Sequence, residues 1–234
     1  MSDRTLPVFA LNTVLIPGAP LPLHIFEQRY RRMVADLLAG EEREFVVLLI
    51  KEGDEVLESP APGSAGRTPV THEIGTIARI DRAQQLPDGR SLLACTGGDR
   101  VRLVEQVQAE PYPTARFAEL PDGISPHTPE VAALADRIRQ SVRRVLESIR
   151  GALPPGGDEQ RAALQNAIQS IPHEPGTLSH FVARTLFTAS NEEKQRLLEA
   201  PDPVTRLQLA LPLVLLEERL ATQPRPSSGP GSLN

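Results

Sequence analysis

An α+β fold is predicted for this chain: a strand-rich first part forming a barrel or sandwich around one inserted helix, then a helical bundle. Residues 1–122 break into short runs rich in Val, Ile, Leu and Phe, divided by turn residues, which is a strand pattern. After Thr128 the apolar residues recur instead at three- and four-residue steps, which is a helix pattern. The chain has 234 residues, 40% of them hydrophobic and 24% charged, so it can bury a core of ordinary composition.

The elements follow in order. Strands are expected at 5–11, 44–51, 73–81, 91–95, 101–107 and 114–120, and several short antiparallel strands within about a hundred residues favour a barrel or sandwich. Asp88-Gly89 and Gly97-Gly98-Asp99 read as hairpin turns. One helix interrupts the strands: Phe26, Tyr30, Met33, Val34, Leu37 and Leu38 share a face, and Gly40 is placed for a left-handed stop. The stretch 53–69 carries Pro, Gly and Ser without apolar period and reads as a long loop.

In the helical part, Thr128 is an N-cap with Pro129 at the first position, and an apolar stripe runs from Val131 to Ile149. Asp158 caps a second helix, and Leu178, Phe181, Val182 and Leu186 mark a third. Ser190 with Glu193 forms a capping box for a fourth, and Asp202-Pro203 opens a last helix to about Ala221, in which Pro212 predicts a kink or break. The expected division is a β domain at 1–122, a helical bundle at 123–222 and a disordered tail at 223–234.

Composition narrows the function. The net charge is −5, and all of the excess sits in residues 1–122, which hold 13 basic and 18 acidic side chains. Phosphate neutralisation needs a basic surface and base stacking needs exposed aromatics. This chain has no Trp, two Tyr and six Phe, with Phe9, Phe26, Phe45 and Tyr30 at positions that read as buried, so nucleic acid is not the expected partner. Arg29, Arg31 and Arg32 are the local patch through which RNA binding stays a rival reading. The single cysteine, Cys95, the absence of a secretion signal and the absence of a long apolar run predict a cytoplasmic protein that does not span a membrane.

Chemistry-bearing motifs are sparse. Lys51 follows Ile50 and Lys194 follows Glu193, so neither belongs to a glycine-rich phosphate loop. His24 with Glu27, and His72 with Glu73, lack zinc-site spacing, and no metal or cofactor is expected. Cys95 lies in an apolar strand and reads as a small buried hydrophobe. The Gly63–Gly66 stretch does not match a nucleophile elbow, and the Glu41-Glu42 and Glu192-Glu193 pairs read as solvated or helix N-terminal charges.

The stretch 6–30, LPVFALNTVLIPGAPLPLHIFEQRY, resembles the opening signature of the Lon N-terminal domain family, through Leu6-Pro7-Val8-Phe9, Pro17-Gly18, Leu21 to Glu27 and Arg29-Tyr30. Further similar segments are Glu73 to Ala78, Gly97 to Val101 (with Val101 where the family has an aromatic), Leu178 to Ala183 and Lys194 to Glu199. The resemblance covers about residues 1–221. It implies a PUA-like β pseudo-barrel joined to a helical bundle, in which 6–30 supplies two neighbouring barrel strands before the helix.

The resemblance also implies recognition of unfolded or extended polypeptide, possessed here without Lon's ATPase and Ser-Lys peptidase parts. The expected role is therefore non-catalytic client binding, as an adaptor for proteolysis, with a scaffold for a folded partner as the rival and self-association left open. Ile16, Pro17, Pro20 and Leu21 are the candidate substrate-binding residues, because prolines hold apolar side chains outward at low entropy cost. The cleft between barrel and bundle is the other candidate.

Overall fold

The computed structural model describes residues 3–53 and 69–223. All but the end residues of the expected loop 53–69 and tail 223–234 therefore lie outside the described residues.

Seven strands come first: β1 (Arg4–Leu11), β2 (Pro20–Ile25), β3 (Glu44–Glu52), β4 (Val70–Thr71), β5 (Ile74–Gln85), β6 (Ser91–Gln108) and β7 (Thr114–Glu119), with helix α1 (Gln28–Ala39) between β2 and β3. They form a closed ring in the order β1-β7-β6-β5-β3 and back to β1, with β2 added on β6 and β4 on β3. Most pairs are antiparallel, but β1 and β3 run parallel, Val8 beside Val46 through Leu11 beside Leu49. A parallel pair needs a long crossover, and β2 with α1 is that crossover. β1 and β2 were expected as neighbours; they are not, since β1 pairs β7 and β3 while β2 pairs only β6.

β3 shows why its sequence, EFVVLLIKE, hardly alternates. Phe45 and Val47 face a cluster with Phe9, Tyr30 and Met33 under α1, while Val46 and Leu48 face a second cluster with Leu6, Val8 and Phe117. A strand buried on both faces reads as an unbroken apolar run. The Asp88-Gly89 hairpin forms, with Gly89 at φ 80° and the Leu86 N–H donating to Arg90 O at 2.8 Å. Gly97-Gly98-Asp99, read as a second hairpin, instead lies inside the 18-residue β6, where the pairing with β5 shifts register between Thr76 and Ala78. The glycines mark a bulge and a close backbone approach, not a reversal.

Two details of the first helix differ from expectation, at its start and at its end. Phe26 is outside α1 and 49% exposed. Tyr30, Met33 and Val34 are buried as the period requires. Gly40 caps the helix in extended backbone at φ −88°, so its conformational freedom is not used.

Five helices complete the chain: α2 (Pro129–Gly151), α3 (Asp158–Gln169), α4 (Pro175–Thr185), α5 (Asn191–Glu199) and α6 (Pro203–Thr222). The Thr128 cap on α2 and the Ser190–Glu193 capping box on α5 both form. Asp158 is the first residue of α3 and Gly157 occupies the cap position. α6 continues through Pro212 without a break. Pro212 and Gln208, whose carbonyl loses its partner, are both exposed, so water can replace the missing bond.

The barrel and bundle meet on a buried charge cluster that no local pattern predicts. Arg206 is fully buried and Arg100 is 4% exposed, and each donates to Asp122 Oδ1 at 2.6 Å. Arg100 also donates to the carbonyls of Leu198 and Ala200, and Arg206 Nε to that of Leu197 at 2.9 Å. These are C-terminal carbonyls of α5, which have no partner within the helix, so the two guanidiniums satisfy them. His180 Nε2 lies 3.0 Å from Asp122 Oδ2. Burial would raise the Asp122 carboxyl, but the bonds from His180 and Arg206 and the two positive charges outweigh it and hold the group well below the usual carboxylate range.

Candidate functional site

The segment between β1 and β2 is fixed by both halves of the molecule. Ala19 N–H donates to Ile16 O at 2.9 Å and closes a turn in which Gly18 takes φ 75°. Gly18 N–H donates to Gly97 O and Gly97 N–H to Ala19 O, at 2.8 and 2.9 Å. A Cβ on Gly97 would lie 2.5 Å from Ile16 O, so glycine is required for this approach. Thr76 Oγ1 donates to Leu15 O at 2.5 Å from the barrel side. From the bundle side, Arg184 Nη1 donates to Gly18 O at 2.9 Å and Asn191 Nδ2 to Asn12 O at 2.5 Å.

Adjacent residues of this segment enter different cores. Leu15 is 3% exposed in the barrel cluster, and Ile16 is 2% exposed in the bundle cluster beside α4 and α6 residues. Leu21 is buried in the barrel cluster at 9%. Ile16 and Leu21 therefore do not point outward as expected, because each completes a core that would otherwise hold a gap; Pro17 is half-buried and Pro20 exposed. The expected cleft between barrel and bundle is likewise filled, by Ile16, Ile74, the Asp122 cluster and Gln195, whose Nε2 donates to Ile74 O at 2.9 Å.

The outer face of β2 and β6 is open to solvent. Leu21 and Ile25 point inward, so by the period of two Pro20, Pro22 and His24 point outward, and exposed Phe26 continues the row. The register places His24 beside Leu92 and Pro22 beside Ala94, both exposed residues of β6. Phe26 and Leu92 are 49% and 43% exposed, and the His24 and Phe26 rings lie 6.0 Å apart. Proline at alternate positions is tolerated at a sheet edge and cannot offer a row of donors, so β2 presents a face more readily than an edge to an incoming chain.

The P-L-P-L-H-I-F alternation was a readable signal for this row, and assigning Phe26 to the helix stripe hid it. Leu92 and Ala94 reach the same surface only through pairing across some seventy residues, which no local pattern carries.

Other singled-out groups are placed as follows. Glu27 pairs with Arg29 at 3.0 Å, away from outward His24. His72 is buried, with Nδ1 3.2 Å from Glu199. Among the described residues no group of three His, Cys, Asp or Glu is placed to hold a metal, and no helix is long and apolar enough to cross a membrane. Cys95 is buried, and burial together with Asp81 pushes its thiol up to about 12, which leaves it a protonated, unreactive packing group at neutral pH.

Comparison with known proteins follows from this architecture. Residues 5–215 match the family model of the ATP-dependent protease La (LON) substrate-binding domain. The chain is 30% identical over 205 residues to Lon protease of Koribacter versatilis and 32% identical over 212 residues to Lon protease 2 of Myxococcus xanthus, covering 87% and 90% of itself. It spans 23% of the length of each.

Among solved structures, it resembles a Lon N-terminal domain protein from Xanthomonas campestris, with a TM-score of 0.60 at 24% identity over 89% of this chain and 98% of that one. The N-terminal domain of Mycobacterium avium complex Lon protease gives 0.63 at 17% identity, over 91% and 98%. These two likenesses establish the fold, and the family match over residues 5–215 establishes more: this chain belongs to the Lon substrate-binding domain family.

Proposed function

We propose that this chain is a non-catalytic module that holds extended or unfolded polypeptide on the outer β2–β6 face, acting as an adaptor that presents clients for proteolysis. One observation carries the reading. A row of rigid or apolar side chains, Pro20, Pro22, His24 and Phe26 with Leu92 beside them, faces solvent on a strand whose neighbours are anchored in two cores. Such a surface loses little entropy when a chain docks, and an exposed apolar patch marks an interaction site. Residues 5–215 match the substrate-binding domain of Lon, which supports client recognition. Leu21 of the same strand packs into the barrel core.

Fluorescence anisotropy with a labelled unfolded protein tests the reading. The natural chain is expected to bind saturably, and Phe26→Asp with Leu92→Asp to lose at least about tenfold in affinity, roughly the transfer free energy of one buried apolar side chain. Unchanged affinity in the double variant, or saturable binding of single-stranded RNA with none of the unfolded protein, overturns it.

A further inference from the structure

We infer that the solvent face of α6 is the contact through which two copies of this chain pair, their helices antiparallel about a two-fold axis. The inner face of α6 buries Leu207, Ala210 and Val214 in the bundle. On the opposite side Leu209, Leu216 and Leu220 are 42%, 47% and 50% exposed, with half-buried Leu213 among them. Thr205 and Gln223 end this row, and Gln208, Pro212 and Arg219 border it along one side. The other long helix, α2, instead turns Asp136, Arg137, Gln140, Arg143 and Glu147 to solvent. A surface helix keeps such a polar side, and one that is apolar on both faces is built to be covered on both.

Spacing, area and charge select a second copy as the occupant. Leu209, Leu213, Leu216 and Leu220 follow one another at four, three and four residues, the spacing of a helix–helix seam. The row reads the same in both directions, so a two-fold axis sets Leu209 against Leu220 and Leu213 against Leu216 of the second copy. Phe187, 62% exposed, borders the row next to Thr188, whose N–H donates to Glu217 Oε1 at 2.6 Å. With Phe187 and Pro212 the row exposes roughly 500 Å² per copy, and a pair covers about 1,000 Å², the small end of specific interfaces. Antiparallel pairing holds the two copies of Arg219 roughly 14 Å apart along the axis, beyond the Debye length of about 8 Å, whereas parallel pairing sets them side by side. Lipid-bound helices carry Lys and Arg along their polar side, and α6 has Arg219 alone there. Residues 224–234 offer Leu233 as their one aliphatic cover besides proline.

Sedimentation equilibrium of the full chain, from micromolar to near-millimolar concentration, tests the pair. The mass is expected to rise from that of one chain, 25.5 kDa, toward twice that value, with a midpoint in the tens of micromolar, as a small interface implies. Leu216→Glu lies beside the two-fold axis and enters the contact twice, so it weakens pairing at least about tenfold. Its melt in dilute solution is expected to match that of the natural chain, and Leu220→Glu, near the end of α6, replaces it if it does not. Chains carrying Leu209→Cys and Leu220→Cys are expected to crosslink when mixed with a short bifunctional thiol reagent. Each alone stays uncrosslinked, because like positions lie about 16 Å apart along an antiparallel pair. Cys95 is buried and does not compete.

A single-chain mass at every concentration overturns the pair, whether another protein or the chain's own residues then cover the row. Pairing that persists in Leu216→Glu overturns it too, since the contact then lies elsewhere. Crosslinking of either cysteine variant alone, as efficient as that of the mixture, overturns the antiparallel arrangement. Cosedimentation of the natural chain with phosphatidylcholine vesicles, lost in Leu216→Glu, gives the row to lipid and overturns the second copy as its occupant. None of these outcomes bears on client binding, because the row lies on α6 and the platform on β2 and β6.

Discussion

β6 passes through two regions of opposite design. Around Leu92 it carries an open platform, apolar toward β2 and bordered by exposed Arg82 and Gln84 of β5, and at Arg100 it enters a buried junction built from two guanidiniums, a carboxylate and an imidazole. The platform's side chains are exposed, so its members are individually replaceable as far as folding is concerned. The junction is a set of groups whose burial is tolerated only because every charge faces another charge or a helix carbonyl. The region proposed to contact a client is therefore not the region that holds the molecule together, and the two should separate cleanly under mutation.

The largest expected separation comes from Asp122→Ala. It leaves Arg206, fully buried, and Arg100 without their counter-charge, and removing one partner of a buried ion pair typically costs about 3–5 kcal/mol. Urea unfolding should show that loss, while client affinity stays unchanged at temperatures where the variant is folded. Acid acts on the same carboxylate. Its folded pKa is depressed, so the stability it contributes is fully present above the unfolded value, near pH 4, and is lost as the pH falls below that toward the folded one. Asp122→Asn should flatten this acid limb; an identical limb in the variant would place the titrating group elsewhere.

Gly97→Ala ranks next. Its Cβ would stand 2.5 Å from Ile16 O, a backbone atom that cannot swing aside, so the turn that seats Leu15 and Ile16 in their two cores must shift. Overpacking of this kind costs about 1–3 kcal/mol. Unlike Asp122→Ala, it should also disturb the platform, because Gly97 bonds to the residues that lead into β2. A chevron or equilibrium melt gives the first effect and anisotropy the second. Full stability with normal client binding would show that the turn is not held as tightly as its distances imply.

Leu92→Asp reverses the pattern. The side chain is 43% exposed, so stability should stay within about 0.5 kcal/mol of the natural chain while client affinity falls. A large drop in unfolding free energy with unchanged binding would collapse the distinction between platform and junction.

The two regions also differ in how readily the sequence discloses them. The barrel strands, α1, the α2 cap and the α5 capping box are written in period and end chemistry, because local backbone preference and burial agree there. The platform is half legible: the period of two in 20–26 gives the outward row, but Leu92 and Ala94 join it only by strand register. The Asp122 cluster is invisible locally, since Arg100, Asp122, His180 and Arg206 each look like ordinary solvated residues until the helices dock. Ile16 fails for a related reason. Proline neighbours suggest an outward apolar side chain, and only the presence of a second core beneath the turn reverses that.

Gly40 and Gly97 make the smallest and sharpest contrast. Both are glycines at the end or middle of an element, and both invited a conformational reading. At Gly97 the close approach of Ile16 O excludes any side chain. At Gly40 the backbone is extended, and an added Cβ would meet its nearest atom, Asp36 O, at 3.5 Å, which is ordinary contact. Alanine there keeps the cap N–H bond to Asp36 O and removes unfolded-state freedom, so Gly40→Ala should stabilise by up to about 1 kcal/mol. Paired melts of Gly40→Ala and Gly97→Ala should therefore move in opposite directions. Destabilisation of both would mean that α1 ends in a left-handed turn in solution, and that its exit toward β3 follows a different path.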